Sequence, residues 1–434
     1  MSNYQTNLSV PKSIPGVFDQ EKRKTRPDFA RGLLDYREAL RMCLESVKSP
    51  VETCEISLEE SLSRVLRKDM ESVVYVPPFN RTMMDGYAVR SADIKSACAG
   101  KPVRLVLTGE IPAGFSSDRT VKSGETMRIM TGAAVPQGAD AVVKLEGTSC
   151  WDGRTVLFFD TVGENPYIIY KGQDLAPGMV TARTGQTVTP AMVGIFAASG
   201  VSSVTVSRNI TLGIISTGSE LVRAGSVPAD GQIYDINGYS LFALAKAAGA
   251  SPVSLGAVKD KSMDLLTLLD FGNGMDILLL SGGVSVGDYD IVHETLQRAG
   301  VEEIFWRVKV KPGKPLFFGK KGNTLIFGLP GNPVSSVVNF NLFVRPVLDK
   351  LAGKTTWGLR TGHAKILNNR ILKSGRRTFL RGKIRESNAS LGVEIIAEQR
   401  SGVFSPMMNA DVLLEIPEDM KILKEGDVVR VYYL

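Results

Sequence analysis

Four carboxylates and three lysines in this chain are spaced as groups that could handle a phosphate ester or an oxyanion. Glu220, Asp260, Asp288 and Asp290 each come just after a short apolar run, in ITLGIISTGSE, SLGAVKD and MDILLLSGGVSVGDYD. Such runs, bounded by glycines, read as buried parallel strands. Carboxylates from three strand ends on one rim make a metal-site arrangement. With only two histidines, His293 and His363, any metal here would be a hard cation such as Mg²⁺. Lys309, Lys311 and Lys314 fall in VKVKPGKP, around a Pro-Gly turn. Each lysine alone reads as a solvated strand edge. Together, as point charges beside Ser and Gly amides, they suit a phosphate or an oxyanion.

The glycine-rich loops give those charges a setting. After the run Ile277 to Leu280 come Ser281, Gly282 and Gly283; after TLIFGL come Pro330, Gly331, Asn332 and Pro333, with Ser335 in the next turn. Glycines at a strand end let backbone N–H groups approach an anion closely. Two such loops in one α/β unit imply a crevice at the carboxyl ends of the strands, where open α/β sheets bind ligands. Further candidates lie outside this unit. Asp85 sits in a Met-Asp-Gly turn, Thr131 in RIMTGAAVPQGADAVV and Asp174 in KGQDL. Taken alone, Asp85 reads more simply as a turn closer, as Asp-Gly commonly is.

The elements that must position these groups follow from pattern. Asp35 and Glu38 can form a capping box for a helix with Tyr36, Leu40, Cys43, Leu44 and Val47 on one face. Ser57 and Glu60 repeat the box before an expected second helix bearing Leu58, Leu62, Val65 and Leu66. Short β runs with turns then predict a β-rich insert. Strands alternating with helices, including one capped by Asn237 and a long one from Val334 to Leu351, predict a right-handed parallel sheet. The tail HAKILNN, FLRGKIR, VEIIAEQ, DVLLEIP, VVRVYYL reads as a small sandwich or barrel. Arg376, Arg377 and Arg381 make that tail locally basic, and a solvated face is the simpler account of at least two of them. The expected division is a leader over 1–30, a helical-plus-β domain from 31–72 and 165–208, the insert at 73–164, the α/β domain at 209–353 and a β domain at 354–434.

Bulk properties exclude several classes. The 434 residues are 43% hydrophobic and 22% charged, an ordinary globular composition in several domains. A net charge of +7 with scattered Lys and Arg suits anionic small molecules and does not predict a nucleic-acid binder. Cys43, Cys54, Cys98 and Cys150 form no Cys-x-x-Cys pair, which argues against zinc or iron–sulfur and fits a reducing cytoplasm. No apolar run reaches the length of a spanning helix, and the amino terminus does not read as a signal peptide.

In order, the motifs PPFNRTMMDGYAVR, RIMTGAAVPQGADAVV, KGQDL, STGSEL, SGGVSVGDYD, KPGKP, GLPGNPVS and the carboxy-terminal FLRG and SG resemble the molybdopterin molybdenumtransferase family (MoeA-like, and the related E domain of gephyrin). The resemblance implies a multidomain α/β and β fold: a central MoaB/MogA-like α/β domain with a parallel sheet, a β-rich inserted domain, an elongated helical-plus-β domain and a C-terminal small β-barrel or sandwich. It implies a cytoplasmic homodimer that inserts molybdate into adenylylated molybdopterin, with Mg²⁺-dependent release of AMP. A transient contact with the molybdopterin adenylyltransferase is expected, and no contact with nucleic acid or membrane. Carried over residue by residue, Ser281, Gly282, Gly283 and the Gly331–Asn332 loop hold the pterin and its phosphate. Glu220, Asp260 and Asp290 surround Mg²⁺ and the scissile anhydride. Lys309, Lys311, Lys314, Ser335, Arg381 and Ser401 hold oxyanions, while Asp85, Thr131 and Asp174 complete the site from the partner protomer. Asn80 and Gln173 depart from the family pattern, which more often has Asp and Glu there, and Lys261 follows Asp260 where an acidic or amide residue is common. These departures leave tungstate open as the physiological oxyanion. Two alternatives stay open: a molybdopterin adenylyltransferase, and a non-catalytic molybdopterin-binding scaffold.

Overall fold

The structure is a computed structural model that describes residues 33–150, 152–163, 166–258, 262–283, 289–372, 375–387 and 390–434. Its centre is a six-stranded sheet in the order Ser251–Val258, Thr211–Thr217, Ile277–Ser281, Thr324–Leu329, Phe317–Lys321, Glu302–Trp306. The first four strands are parallel. The last two pair antiparallel, so the expected all-parallel sheet carries a hairpin edge. Period-2 alternation decides which face each side chain serves. Ile277 and Leu279 join one buried cluster with Leu212 and Phe327, whereas Leu278 and Leu280 join another with Ile215 and Ile326. A strand buried on both faces must be apolar throughout, which is why ILLL reads as an unbroken run. Burying each such side chain is worth about 1.5–3 kcal/mol.

The long helix expected after GLPGNP is present as one run, with an α segment Pro333–Asn339, a π turn Phe340–Val344 and an α segment Arg345–Leu351. Pro346 offers no N–H to the residue four earlier and crowds its carbonyl, so a widened turn just before it has a local cause. The amino-terminal helix Tyr36–Glu45 is capped by Asp35, whose carboxylate accepts from the N–H groups of Arg37 and Glu38 at 2.8 and 3.4 Å.

The second expected helix does not form. Thr53–Ser57 is a strand paired antiparallel with Ser203–Ser207, Ser63 has φ +65°, and Leu66 bridges to Val206. Leu58 and Leu66 are buried against Val204 and Val206, but Leu62, which a helical stripe would have buried, is 51% exposed.

The β-rich region has a six-stranded sheet in the order Ala141–Lys144, Gly86–Val89, Glu125–Ile129, Val103–Ile111, Thr155–Phe158, Thr148–Cys150. At the carboxyl end, Arg377–Ser387 pairs with both Ser390–Ile395 and Val412–Ile416. The ring is completed through Thr361–Ile366 and Val428–Tyr433, giving a small closed barrel around Ile366, Val393, Leu414 and Val431. A short strand from the α/β region joins this sheet: Val310–Lys311 runs parallel to Arg377 and Thr378. That pairing brings the barrel beside the strand ends.

Candidate active site: a strand-end crevice joined to a basic cavity

The crevice is built mostly from backbone. Thr217, Ser281 and Leu329 end three adjacent parallel strands. Gly282 has φ +94°, and a Cβ there would lie 2.4 Å from the Thr217 carbonyl oxygen, so only glycine fits. Its N–H donates to the Leu329 carbonyl at 3.1 Å, and the Thr217 hydroxyl donates to the Ser281 carbonyl at 3.3 Å. A Cβ at Gly331 would lie 3.7 Å from the Gly282 Cα, so the two glycine loops abut. Ser281 is 1% exposed, and its hydroxyl has no partner among the described residues.

Beside them, the helix Ile236–Ala247 starts at Asp235, two residues before the expected cap. The Asp235 carboxylate accepts from the Gly238 N–H at 2.8 Å and from the Ser216 hydroxyl at 2.5 Å. Asn237 is thereby released from capping, and its Nδ2 donates to the Gly331 carbonyl at 2.8 Å.

Of the expected metal ligands, Glu220 is described. Its carboxylate folds back over Gly218, 2.7–2.8 Å from where a Cβ would stand, and it has no cationic partner among the described residues. Asp260 lies outside the described residues, as does Asp288; for Asp290 the backbone of helix Tyr289–Arg298 is described and the side chain is not.

The second feature is a cavity of about 940 Å³ between the 330–332 loop, the KPGKP turn and the barrel. Lys311, Lys314, Pro330, Gly331, Asn332, Ser335 and Ser401 line it, and Ser335 is 3% exposed. Gly313, at φ +104°, presses on Asn339: a Cβ would meet Asn339 Oδ1 at 2.3 Å, and Asn339 Nδ2 donates to the Gly313 carbonyl at 3.1 Å. The turn carrying both lysines is therefore pinned to the buried helix. On the opposite side, Ser401 closes the cavity by accepting from the Val334 N–H at 3.2 Å, in the first turn of that helix.

Two of the expected oxyanion residues lie apart from this lining. Lys309 is absent from the lining, and its N–H donates to the Leu34 carbonyl at 2.8 Å. Arg381 is 1% exposed and is likewise absent from the lining. Its guanidinium donates to the carbonyls of Glu398, Val403 and Arg400 at 2.8, 3.1 and 3.3 Å and to Gln399 Oε1 at 3.3 Å. With four of its five guanidinium N–H groups bonded within residues 398–403, this side chain shapes that loop. It holds the segment that presents Ser401.

The basic residues of the barrel are not a solvated face either. Arg376 lines the cavity and donates to the Val310 carbonyl at 3.2 Å, and Arg377 pairs with the buried Glu415. Arg370 and Arg400 also line the cavity, and sequence reading missed both. Arg400 clasps Glu398 at 2.5–3.0 Å, and these hydrogen bonds hold the Glu398 carboxyl down at about 2. Glu398 is the one acidic residue of the lining. The balance is strongly cationic.

Asp85 and Thr131, 46 residues apart, are brought into contact in the β-rich region. The Thr131 hydroxyl and N–H both donate to Asp85 Oδ1 at 2.7 Å and hold its carboxyl below the usual range, the hydroxyl contributing most. Asp174 is exposed, with its N–H on the Val76 carbonyl at 3.0 Å. Two of the three departures from the family pattern make hydrogen bonds, and the third, Lys261, lies outside the described residues. Asn80 Oδ1 accepts from the Lys171 N–H at 2.8 Å, and Gln173 Oε1 accepts from the Tyr170 N–H at 2.9 Å. The strands flanking these residues belong to sheets separate from both the parallel sheet and the barrel.

Comparison with known proteins agrees with this architecture. The family model for the MoeA N-terminal region (domain I and II) matches residues 34–200. That for a probable molybdopterin binding domain matches 213–350, and that for the MoeA C-terminal region (domain IV) matches 363–434. The molybdopterin molybdenumtransferase of Haemophilus influenzae is 31% identical over 403 residues, 92% of this chain and 98% of that protein. The Bacillus subtilis enzyme of the same name is 32% identical, covering 88% and 89%. Among solved structures, a molybdopterin biosynthesis MoeA protein from Pyrococcus horikoshii superposes with a TM-score of 0.77 at 29% identity, covering 93% of this chain and all of that one. With three regions matched in order and relatives aligned along nearly their whole length, the chain belongs to the molybdopterin molybdenumtransferase (MoeA) family.

Proposed function

We propose that this protein is the transferase that inserts molybdate into adenylylated molybdopterin during molybdenum cofactor biosynthesis, releasing AMP. One observation carries the reading: a backbone-lined crevice and a cationic cavity share a single loop, residues 330–332. An adenylylated substrate seated at Gly282 and Gly331 would present its reacting end toward the oxyanion beside it. Lys311 and Lys314 attract that oxyanion, and Ser335 and Ser401 orient it by hydrogen bonds. The adenylyltransferase alternative needs only an α/β unit, whereas the family match extends through both flanking regions.

Mg²⁺ is the kind of hard cation that carboxylates would take, and Glu220 places one such carboxylate just after a strand end. Glu220, Asp260 and Asp290 would hold it, and when bound it neutralises charge on the phosphoanhydride. The rest of the task falls to positioning, with no histidine or protein nucleophile required.

We assign Asp85, Thr131 and Asp174 to the far wall of a site completed by a second protomer, and the domain limits to those expected from the sequence. A homodimer in transient contact with the adenylyltransferase, acting in the cytoplasm, accords with the free thiols of Cys43, Cys54 and Cys98. No helix among the described residues is long and apolar enough to cross a membrane.

The test is reconstitution. Purified protein given adenylylated molybdopterin, Mg²⁺ and molybdate should yield cofactor that activates an apo-molybdoenzyme. Asp290→Ala and Asp85→Ala should each be inactive while dimeric, and mixing the two should restore part of the activity. Restoration failing on mixing would remove the shared site; cofactor failing to form with wild-type protein would remove the function.

A further inference from the structure

Beside the crevice, against the Gly331 loop, lies a polar atom that the mechanism above does not use. Asn237 Oδ1 is buried and has no hydrogen-bond partner among the described residues. Its orientation is set chemically: the other end of the carboxamide meets the Gly331 carbonyl at 2.8 Å, and a carbonyl only accepts, so that end is the NH₂ and the free end is the oxygen. The side chain is also held in place, because Asp235 ties the helix start to both Gly238 and Ser216. A buried acceptor without a donor is unfavourable, and in native proteins such atoms are few.

We propose that Asn237 is a specificity-determining residue whose Oδ1 accepts a hydrogen bond from an N–H or O–H on the organic part of the substrate. This rests on the molybdenumtransferase reading. Oxyanions and phosphates near neutral pH are acceptors, so they cannot satisfy Asn237 Oδ1. Molybdate and the anhydride are excluded as its partner by that chemistry. The donor must come from a heterocycle N–H or amino group, or from a sugar hydroxyl. Asn237 thus reads the part of the ligand that the glycine loops and lysines, which recognise negative charge, cannot distinguish.

Anaerobic titration calorimetry on the full-length protein tests this with three ligands: adenylylated molybdopterin, AMP and molybdate. Asn237→Ala should weaken adenylylated molybdopterin about tenfold, the worth of one buried hydrogen bond, and leave molybdate binding within twofold. Unchanged AMP affinity would locate the donor on the pterin half, and AMP weakened in parallel would locate it on the nucleotide half; either supports the proposal. Unaltered affinity for adenylylated molybdopterin overturns it. So does an equal loss of molybdate affinity, which would mean that Asn237 only supports the 330–332 loop. Asn237→Ser carries the same comparison if the alanine variant does not fold. Wild-type protein that binds no adenylylated molybdopterin would instead refute the functional reading beneath it.

Discussion

The strand-end crevice and the basic cavity meet at residues 330–332, yet they are made from different parts. The crevice is backbone: Gly282 and Gly331 in contact, a buried Ser281 hydroxyl, and strand ends in fixed register. Its recognition elements cannot move without moving the sheet. The cavity is made of long cationic side chains on turns and loops, each loop tied down by a buried polar residue behind it. Asn339 holds the KPGKP turn from one side, and Arg381 holds the 398–403 loop from the other. The difference teaches that rigidity is obtained in two ways here: by sheet register along the backbone-lined crevice, and by buried clasps behind the cationic loops of the cavity.

Substitutions that strike each kind of rigidity should separate the two regions. The largest effect is expected from Gly282→Ala, which forces a side chain into a left-handed backbone and against the Thr217 carbonyl. Cofactor formation should fall about a hundredfold, the usual consequence of an ångström-scale displacement in an aligned site, while molybdate still binds by calorimetry. Loss of molybdate binding as well would mean that the regions are not separable.

Arg381→Ala removes a buried guanidinium and takes away the donor to the Glu398 and Val403 carbonyls, while the Arg400 carbonyl keeps the Val403 N–H at 3.3 Å. A loss of about 3 kcal/mol in denaturant unfolding is expected, together with weakened molybdate binding. A variant as stable as wild type would refute the clasp. Lys314→Ala should raise the molybdate dissociation constant about tenfold without altering the melting temperature or the affinity for adenylylated molybdopterin.

The smallest effect concerns Glu398. Hydrogen bonds from Arg400 hold its carboxyl down at about 2, so this favourable interaction is present above the ordinary carboxylate range and is lost as pH falls toward about 2. In Arg400→Ala the carboxyl should titrate upward, as followed by NMR, but stay below the ordinary range, because the backbone N–H of residue 400 still donates to it at 2.7 Å. A value unmoved from about 2 would show that the guanidinium contributes nothing.

The crevice was legible because its signals are contiguous: an apolar run, then glycines, then a carboxylate. The barrel and the β-rich insert were legible for a similar reason, through alternation and turns. The cavity was only half legible. Its lysines stand in one motif, but Arg370, Arg376 and Arg400 reach it because Val310–Lys311 pairs with Arg377 and Thr378, a register between segments more than 60 residues apart. No local pattern announces such a pairing, so exposed charge was the natural reading. The false helix at 58–66 has a related cause. Leu58, Val65 and Leu66 are buried whether the segment is helical or folded against Val204 and Val206, and Leu62 alone distinguishes the two. Arg381 was recognised as important through its motif, while its role depended on where its donors point.

The central claim is that crevice and cavity act on two ligands in one reaction. Its most direct test is the rate of AMP release from adenylylated molybdopterin by the wild-type protein with Mg²⁺, measured with and without molybdate. The account predicts release that rises with molybdate and saturates, and that loses this response in Lys314→Ala. Release equally fast without molybdate, or none under any condition despite bound substrate, would contradict it.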